Sequence, residues 1–333
     1  MCTAYLFGVV LAPENVELNG KDLAVDRRLE KLRRDLGPGF MGALNDPDTI
    51  EILLNADGTL WQEKLGATMQ PIGRMSPTRA EAVMRTIASC LRTVITWDQP
   101  TIEGELPLDG SRFAGQLPPI VSAPTFAVRK KASSVFALDQ YVDQGIMTPE
   151  QKDVLCQAIA GHRNILVIGG TGSGKTTLTN GLIHEMTSVF PHERIVIIED
   201  TGEIQCSARN AVLYHTTSEV TMAKLLRITL RMRPDRILVG EVRGPEALAL
   251  LMAWNTGHEG GIATLHANSA TSALSRLASL ISMNSEYPKP IEPLIGEAVH
   301  VVVHIAKEGG GRRIRQIISI NGYESQHYQI TEL

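Results

Sequence analysis

Residues of the types and spacing that bind phosphate groups lie at positions 169–177. Gly169 is separated by four positions from Gly174, and Lys175 and Thr176 follow, which matches the phosphate-loop pattern G-x-x-x-x-G-K-[ST]. Glycines let a backbone fold round an anion, so that its N–H groups and the positive end of the following helix point at phosphates. Lys175 could then reach the terminal phosphates, and the hydroxyl of Thr176 could bind Mg2+.

This loop predicts a nucleotide site with ATP and Mg2+ as its ligands. No N-K-x-D stretch, the usual guanine reader, follows the loop, which disfavours GTP. The expected nucleotide contacts are Gly169, Gly170, Thr171, Gly172, Ser173, Gly174, Lys175, Thr176 and Thr177.

Acidic side chains follow two further apolar stretches that have the pattern of buried parallel strands. Glu199, Asp200 and Glu203 come after residues 194–198, and Glu241 comes after residues 237–240. The carboxyl ends of parallel strands are where open α/β sheets bind ligands. The partner strand of a phosphate loop usually ends in an aspartate that holds Mg2+, but Glu241 stands here instead. Glu241 could therefore hold the metal ion together with Thr176, activate water, or do both.

A histidine and several arginines complete the set of residues that could act on a phosphate. His266 ends a fourth apolar stretch, where it could sense the γ-phosphate or be a hydrogen-bonded core histidine. The arginines that could stabilise developing negative charge are Arg112, Arg129, Arg231, Arg233 and Arg243. Each arginine taken alone also fits a surface ion pair.

The elements that must position these residues follow from apolar periodicity and capping signals. Residues 165–168 predict a buried strand, and residues 175–188 predict the helix after the loop. Thr148, Pro149 and Gln151 form a capping-box arrangement that begins a helix ending near Gly161. Asn268 is the expected N-cap of a helix that ends near Met283, and residues 298–320 predict a strand pair round a glycine turn.

The first part of the chain has different patterns. Residues 26–36 predict a basic amphipathic helix, ended by residues 37–39, which could pack on its domain or rest on an anionic membrane surface. Residues 50–61 predict a hairpin, residues 77–94 a helix, and residues 103–128 further strands. The apolar stretch 5–12 is either a short strand or an over-extended start. We expect an N-terminal α+β domain at 1–131, a linker at 132–147 and an α/β domain at 148–333.

Composition describes an ordinary globular protein of 333 residues, with 43% hydrophobic and 20% charged residues. The net charge of -4 and the aromatic content of 5% count against direct nucleic-acid binding. The four cysteines form no C-x-x-C pair, which disfavours structural zinc and a disulfide framework. No apolar run approaches the ~20 residues that a transmembrane helix needs.

The ordered motifs together resemble those of the secretion or traffic ATPases, which power type IV secretion, type II secretion and type IV pili. The resemblance rests on the phosphate loop and on four further stretches, at 198–203, 230–244, 261–267 and 106–131. The last of these is similar in particular to the conjugal-transfer branch of type IV secretion. Type II members typically carry a tetracysteine zinc insert, which this sequence lacks.

The resemblance implies a RecA-like P-loop domain and a ring of six identical subunits with nucleotide between the two domains. It implies that Glu203 acts on water, that Glu241 belongs to the Mg2+ strand, and that His266 is the histidine of its motif. Arg112 and Arg129 would approach the phosphates, possibly from a neighbouring subunit.

The expected function is ATP hydrolysis that powers conjugative pilus assembly and substrate transfer, together with inner-membrane components of the apparatus, at the cytoplasmic face of the inner membrane. The alternatives are a motor that translocates the transferred DNA strand and a nucleotide-gated assembly scaffold with negligible turnover.

Overall fold

The computed structural model describes residues 20–131, 135–217, 219–309 and 311–333, with side chains from residue 25 onward. The apolar stretch 5–12 and Cys2 lie outside the described residues. The chain divides into two compact units. The first comprises residues up to Asp46 with Ile52–Gln62 and Gln70–Val128, and the second comprises Pro47–Glu51, Glu63–Met69 and Arg129–Leu333. The predicted boundaries 1–131, 132–147 and 148–333 stay a prediction.

Helices and strands alternate along the chain. In the first part they are α1 (Gly20–Asn45), β1 (Thr49–Leu54), β2 (Thr59–Lys64), β3 (Gln70–Arg74), α2 (Pro77–Cys90), β4 (Thr101–Glu105), β5 (Arg112–Gln116) and β6 (Thr125–Arg129). They continue with α3 (Leu138–Asp143), α4 (Pro149–Ala160), β7 (Ile165–Ile168), α5 (Lys175–Val189), β8 (Ile195–Glu199), β9 (Ala211–His215), α6 (Met222–Thr229) and β10 (Arg236–Val242). The last are α7 (Glu246–Trp254), β11 (Ile262–Leu265), α8 (Ala270–Ile281), α9 (Glu292–Ala298), β12 (Val301–Glu308), β13 (Gly311–Glu324) and β14 (His327–Glu332).

The first unit combines a sheet with a pair of helices. The sheet has the order β3-β2-β1-β6-β5-β4, and the predicted hairpin β1–β2 is confirmed. Helix α1 buries Leu32 and Leu36 in the core of this unit, as its apolar spacing predicts. The backbone leaves the helical conformation at Gly37, as expected, but the helix then resumes and ends only at Asn45. The prediction that residues 37–39 end it was therefore wrong.

The second unit is built on a mixed sheet with the order β14-β13-β12-β7-β11-β10-β8-β9. Strand β7 pairs in parallel with both β11 and β12, and β10 pairs in parallel with β11 and β8. All four residues of β7 and of β11 are buried, because such strands are covered on both faces. The mixed α/β architecture and the strand pair 298–320, which is the antiparallel hairpin β12–β13, are confirmed.

Two local predictions about the helices of this unit have different outcomes. The capping box at Thr148 is confirmed, because its hydroxyl accepts a hydrogen bond from the N–H of Gln151 at 3.2 Å. The predicted N-cap Asn268 was wrong. Ser269 has the extended backbone of an N-cap, and its Oγ accepts from the N–H of Ser272 at 3.1 Å.

Several elements have no counterpart among the predictions. Helix α3 lies within the stretch predicted as a linker and buries Leu138 and Tyr141 in the core of the second unit. Strands β9 and β14 and helix α9 are short, and their weak periodicity gave no separate signal. Among the described residues, the search for membrane spans finds no helix with the length and apolar content to cross a bilayer.

Candidate nucleotide-binding site

The loop between β7 and α5 has the conformation that its glycines permit. Gly169 has a φ of 156°, and a β-carbon placed on it would lie 2.2 Å from the carbonyl oxygen of Ile305. Gly174 has a left-handed φ of 97° and is the N-cap of α5. A residue other than glycine would therefore be strained at both positions. The loop delivers the N-terminus of α5, with its positive end, to the carboxyl edge of the sheet.

Lys175 lies along the loop as the first residue of α5. Its side chain is buried, and its Nζ donates to the carbonyl oxygens of Gly169 at 3.1 Å and Gly170 at 3.0 Å. Burial lowers the pKa of Lys175, and the charge of Glu241 opposes this shift. The ammonium group is thus held beside the loop backbone, where it can transfer its hydrogen bonds to an anion.

Two buried hydroxyl groups near the loop make no hydrogen bond to any described residue. They are Ser173 Oγ in the loop and Thr179 Oγ1 one turn into α5. Buried polar groups nearly always have a partner, so these hydroxyls indicate a polar ligand or water at the site. Together with the curled backbone and Lys175, they fit a bound phosphate group.

Glu241 is the acid of the neighbouring strand β10, and two cationic or polar groups hold it. One carboxylate oxygen accepts from Arg243 Nη2 at 2.6 Å, and the other lies 3.0 Å from His266 Nε2. Burial raises the pKa of Glu241, but Arg243, His266 and Lys175 outweigh that effect, and the pKa lies below its ordinary value. Glu241 is therefore a fixed, ionised carboxylate.

His266 follows β11 and lies between Lys175 and Glu241. Its Nδ1 is 3.4 Å from Lys175 Nζ, which can only donate, so Nδ1 must accept. The ring proton then resides on Nε2 and points at Glu241. Burial lowers the pKa of His266, the charge of Lys175 adds to this, and Glu241 opposes it. The imidazole is thus neutral at pH 7, with its tautomer set by its two neighbours.

Glu203 follows β8 on a loop that several groups hold in place. Its Oε2 accepts from Thr176 Oγ1 at 3.5 Å, which links it to the phosphate loop. The carboxylate of Glu199 accepts from the backbone N–H groups of Glu203 at 3.2 Å and Ile204 at 3.0 Å. From α5, the side chain of Asn180 donates to the carbonyl oxygen of Glu203 at 3.4 Å.

Glu199 and Asn180 were not among the predicted site residues. Glu199 is 3% exposed, and burial raises its pKa to about 7, while its two backbone hydrogen bonds oppose the shift. A glutamate that closes an otherwise apolar strand was the available signal for Glu199. Nothing in the sequence marked Asn180, whose role depends on the side of α5 that faces the Glu203 loop.

One pocket connects the acids to the start of α5. It is lined by Thr176, Thr179, Glu199, Asp200, Thr201, Glu203, Ile204, Gly240, Glu241, Arg243 and Thr264. Among the described residues, no group of three or more His, Cys, Asp or Glu side chains could hold a metal by itself. Mg2+ at nucleotide sites uses one or two protein oxygens, with phosphates and water as its other ligands. Thr176 and either nearby glutamate fit that smaller set.

The predicted arginines have different locations. Arg243 lies at the site, because it contacts Glu241 and lies 3.5 Å from Asp200. Arg129 is the exposed last residue of β6 and pairs with Glu51 at 3.5 Å. Arg112 is the first residue of β5, in the first compact unit. Arg231 and Arg233 are exposed and follow α6.

Comparison with known proteins gives a consistent set of similarities. The sequence profile described as "Type II/IV secretion system protein" matches residues 84–311. The chain is 48% identical over 303 residues to the conjugal transfer protein TrbB of Rhizobium radiobacter, covering 91% of this chain and 93% of that protein. It is 32% identical to the type IV secretion system protein PtlH of Bordetella pertussis, covering 83% of this chain and 91% of that protein.

A solved structure, the Legionella pneumophila ATPase DotB, superposes with a TM-score of 0.60 at 20% identity. The superposition covers 89% of this chain and 80% of DotB. At this level of identity the likeness concerns the fold alone.

Proposed function

The chain belongs to the type II/IV secretion system protein family, and from that premise we propose that it hydrolyses ATP to power conjugative type IV secretion. The observation that carries the proposal is the phosphate loop with Lys175 held between its carbonyl oxygens and His266, beside two acidic groups. The names of the relatives from Rhizobium radiobacter and Bordetella pertussis support the conjugative and type IV secretion setting.

The protein's own residues divide the work of phosphoryl transfer to water. The loop N–H groups and the N-terminus of the RecA-like domain's helix α5 bind the phosphates, and Lys175 leaves the carbonyl oxygens of Gly169 and Gly170 for the terminal phosphates. The predicted contact set 169–177 is kept in this proposal. Mg2+ would be held by Thr176 and Glu241, and it supplies neutralisation of the phosphate charge.

The two glutamates have different surroundings, which supports different roles. Glu241 is fixed by Arg243 and His266 and its pKa lies below the ordinary value, so it is a weak base and suits an ionised metal or water ligand. Glu203 has its carboxylate directed toward the hydroxyl of Thr176 and its backbone held by Glu199. Glu203 therefore orients and activates the attacking water.

His266 connects the terminal phosphate to Glu241. Its neutral ring accepts from Lys175 in this structure, and this contact is exchanged when Lys175 turns to the phosphates. The hydrogen bond from Nε2 to Glu241 keeps the ring oriented. Occupancy of the γ-phosphate position is thereby reported to the acid of β10.

The assembly that the proposal includes is a homohexamer at the cytoplasmic face of the inner membrane, in contact with the inner-membrane components of the secretion apparatus. Arg112 and Arg129 act at the phosphates in this proposal, because phosphoryl transfer is accelerated by an arginine supplied in the same subunit or from a neighbour. Nucleotide that binds the closed arrangement of the domains better than the open one would convert hydrolysis into motion.

The test combines Lys175→Ala with Lys224→Ala, which removes an exposed lysine from α6 of the same unit. ATP hydrolysis is measured across size-exclusion fractions, with and without single-stranded DNA, and conjugative transfer is measured in cells. Lys175→Ala should lose both hydrolysis and transfer, and Lys224→Ala should keep both.

Three outcomes would change the proposal. A Lys175→Ala chain that retains hydrolysis and transfer removes its basis. Strong stimulation by single-stranded DNA would favour the strand-translocating motor instead. Full transfer by Glu203→Gln without measurable hydrolysis would favour the nucleotide-gated scaffold.

A further inference from the structure

Two cations face each other across the hairpin β12–β13, next to the nucleotide site. Lys307 and Arg312 are direct partners in the antiparallel register. Like charges at such a pair of positions destabilise a hairpin unless a negative charge compensates them. In the described part of the chain the nearest acidic residue of the hairpin, Glu308, lies 3.7 Å from Arg315 and forms an ion pair with it.

Both side chains lie against the phosphate loop. A β-carbon placed on Gly172 would be 3.1 Å from Lys307 Nζ, and one placed on Gly174 would be 2.8 Å from Cδ and 3.1 Å from Nε of Arg312. The absence of side chains at these two loop positions is thus what admits the cations. Strand β12 pairs with β7 in parallel, so the hairpin begins where β7 enters the loop.

Arg312 also carries an unexplained polar atom. Its Nε is buried and has no hydrogen-bond partner among the described residues. A guanidinium nitrogen buried without an acceptor is costly, and an anionic oxygen would satisfy it at short range. The register, the contacts with the loop and this unpartnered donor all indicate a polyanion at the same place.

We propose that Lys307 and Arg312 bind the polyphosphate of ATP from within the same subunit, so that the hairpin β12–β13 forms a cationic wall of the phosphate site. This inference rests on the proposed function and extends it to residues outside the motifs of the sequence. The guanidinium of Arg312 suits two oxygens at once, whereas the ammonium of Lys307 acts as a point charge.

The test measures equilibrium binding of ATP and of inorganic tripolyphosphate to the full chain and to Arg312→Ala, Lys307→Ala and Arg313→Ala. Arg313 is the matched control, because it lies next to Arg312 in β13, is exposed, and pairs with Ala306 in register on the other face of the hairpin. Arg312→Ala should weaken the binding of ATP and tripolyphosphate by about 10-fold or more, since a charged hydrogen bond is lost. Lys307→Ala should weaken both by a smaller factor, and Arg313→Ala should bind like the unaltered chain.

The outcomes separate this inference from the proposed function. If the unaltered chain binds ATP and Arg312→Ala binds it equally well, this inference alone fails. If Arg312→Ala loses affinity for ATP but not for tripolyphosphate, the contact is with the nucleoside and the proposal is overturned. If the unaltered chain binds neither ligand, the proposed function and this inference fail together. Should Arg312→Ala not fold, Arg312→Gln removes the charge and keeps the length of the side chain.

Discussion

Replacing Glu199 by glutamine should change the pH dependence of the stability of the second unit. Glu199 is 3% exposed, and its pKa of about 7 compares with 4.5 for an ordinary glutamate. The native state binds the proton more tightly than the unfolded chain does. Stability from this group is therefore complete below pH 4.5 and is lost as the pH rises through about 7.

The size of the effect follows from these two pKa values. Each unit of difference is worth about 1.36 kcal/mol, so the loss approaches about 3 kcal/mol well above pH 7. Between pH 5 and pH 8 the unaltered protein should lose roughly 2.5 kcal/mol of this contribution. The glutamine of the variant stays neutral, and its amide oxygen can still accept from the backbone N–H groups of Glu203 and Ile204. The unfolding free energy of Glu199→Gln minus that of the unaltered protein should therefore rise by that amount over this range.

The assay is urea unfolding at several pH values, followed by the fluorescence of Trp254. This tryptophan is fully buried in the second unit, and Trp61→Phe and Trp97→Phe remove the other two from the background. Exposed Glu219, changed to glutamine, is the control, because an exposed carboxyl stays solvated in both states. A difference for Glu199→Gln that is constant between pH 5 and pH 8, or that falls as the pH rises, would refute burial as the dominant effect on Glu199.

Two further substitutions test the packing of the second unit. Gly261→Ala would place a β-carbon 2.3 Å from the carbonyl oxygen of Ile237, so we expect a loss of about 3 kcal/mol, measured by the same urea unfolding. Arg236→Met removes a fully buried arginine whose Nε contacts the carboxylate of Glu193 at 2.5 Å. It should cost about 3 kcal/mol, and the double change with Glu193→Gln should recover part of that loss, because no unpaired carboxylate remains. Equal stability of the single and double variants would contradict this assignment.

The sequence predicted those parts of the fold that have strong local signals. The strand β7, the loop glycines and the capping box at Thr148 each depend on residues a few positions apart, and the structure has all three. The N-cap Asn268 failed by one residue, because two adjacent polar residues can both cap and only the backbone geometry decides between them.

Contacts between distant strands could not be predicted in this way. The pairing of β12 with β7 depends on burial across the whole sheet, so nothing local indicated that Lys307 and Arg312 would reach the loop. Glu199 was recognised as part of an acidic cluster, but its burial beneath the Glu203 loop depends on how that loop folds back. The alternatives for Glu203 and Glu241 likewise stayed open, because their hydrogen-bond partners come from other strands.

The position of α5 explains why binding and hydrolysis can be linked in this unit. The helix begins at the phosphate loop with Lys175, and one turn later Asn180 holds the carbonyl oxygen of Glu203 and accepts from the N–H of Gln205 at 3.0 Å. Thr176 contacts the Glu203 carboxylate from the same helix. A shift of α5 on phosphate binding would therefore carry the water-activating acid with it, because one rigid element positions both groups. The anchor for the phosphates and the anchor for the acid are then the same helix, so the acid is placed only as well as the nucleotide is bound.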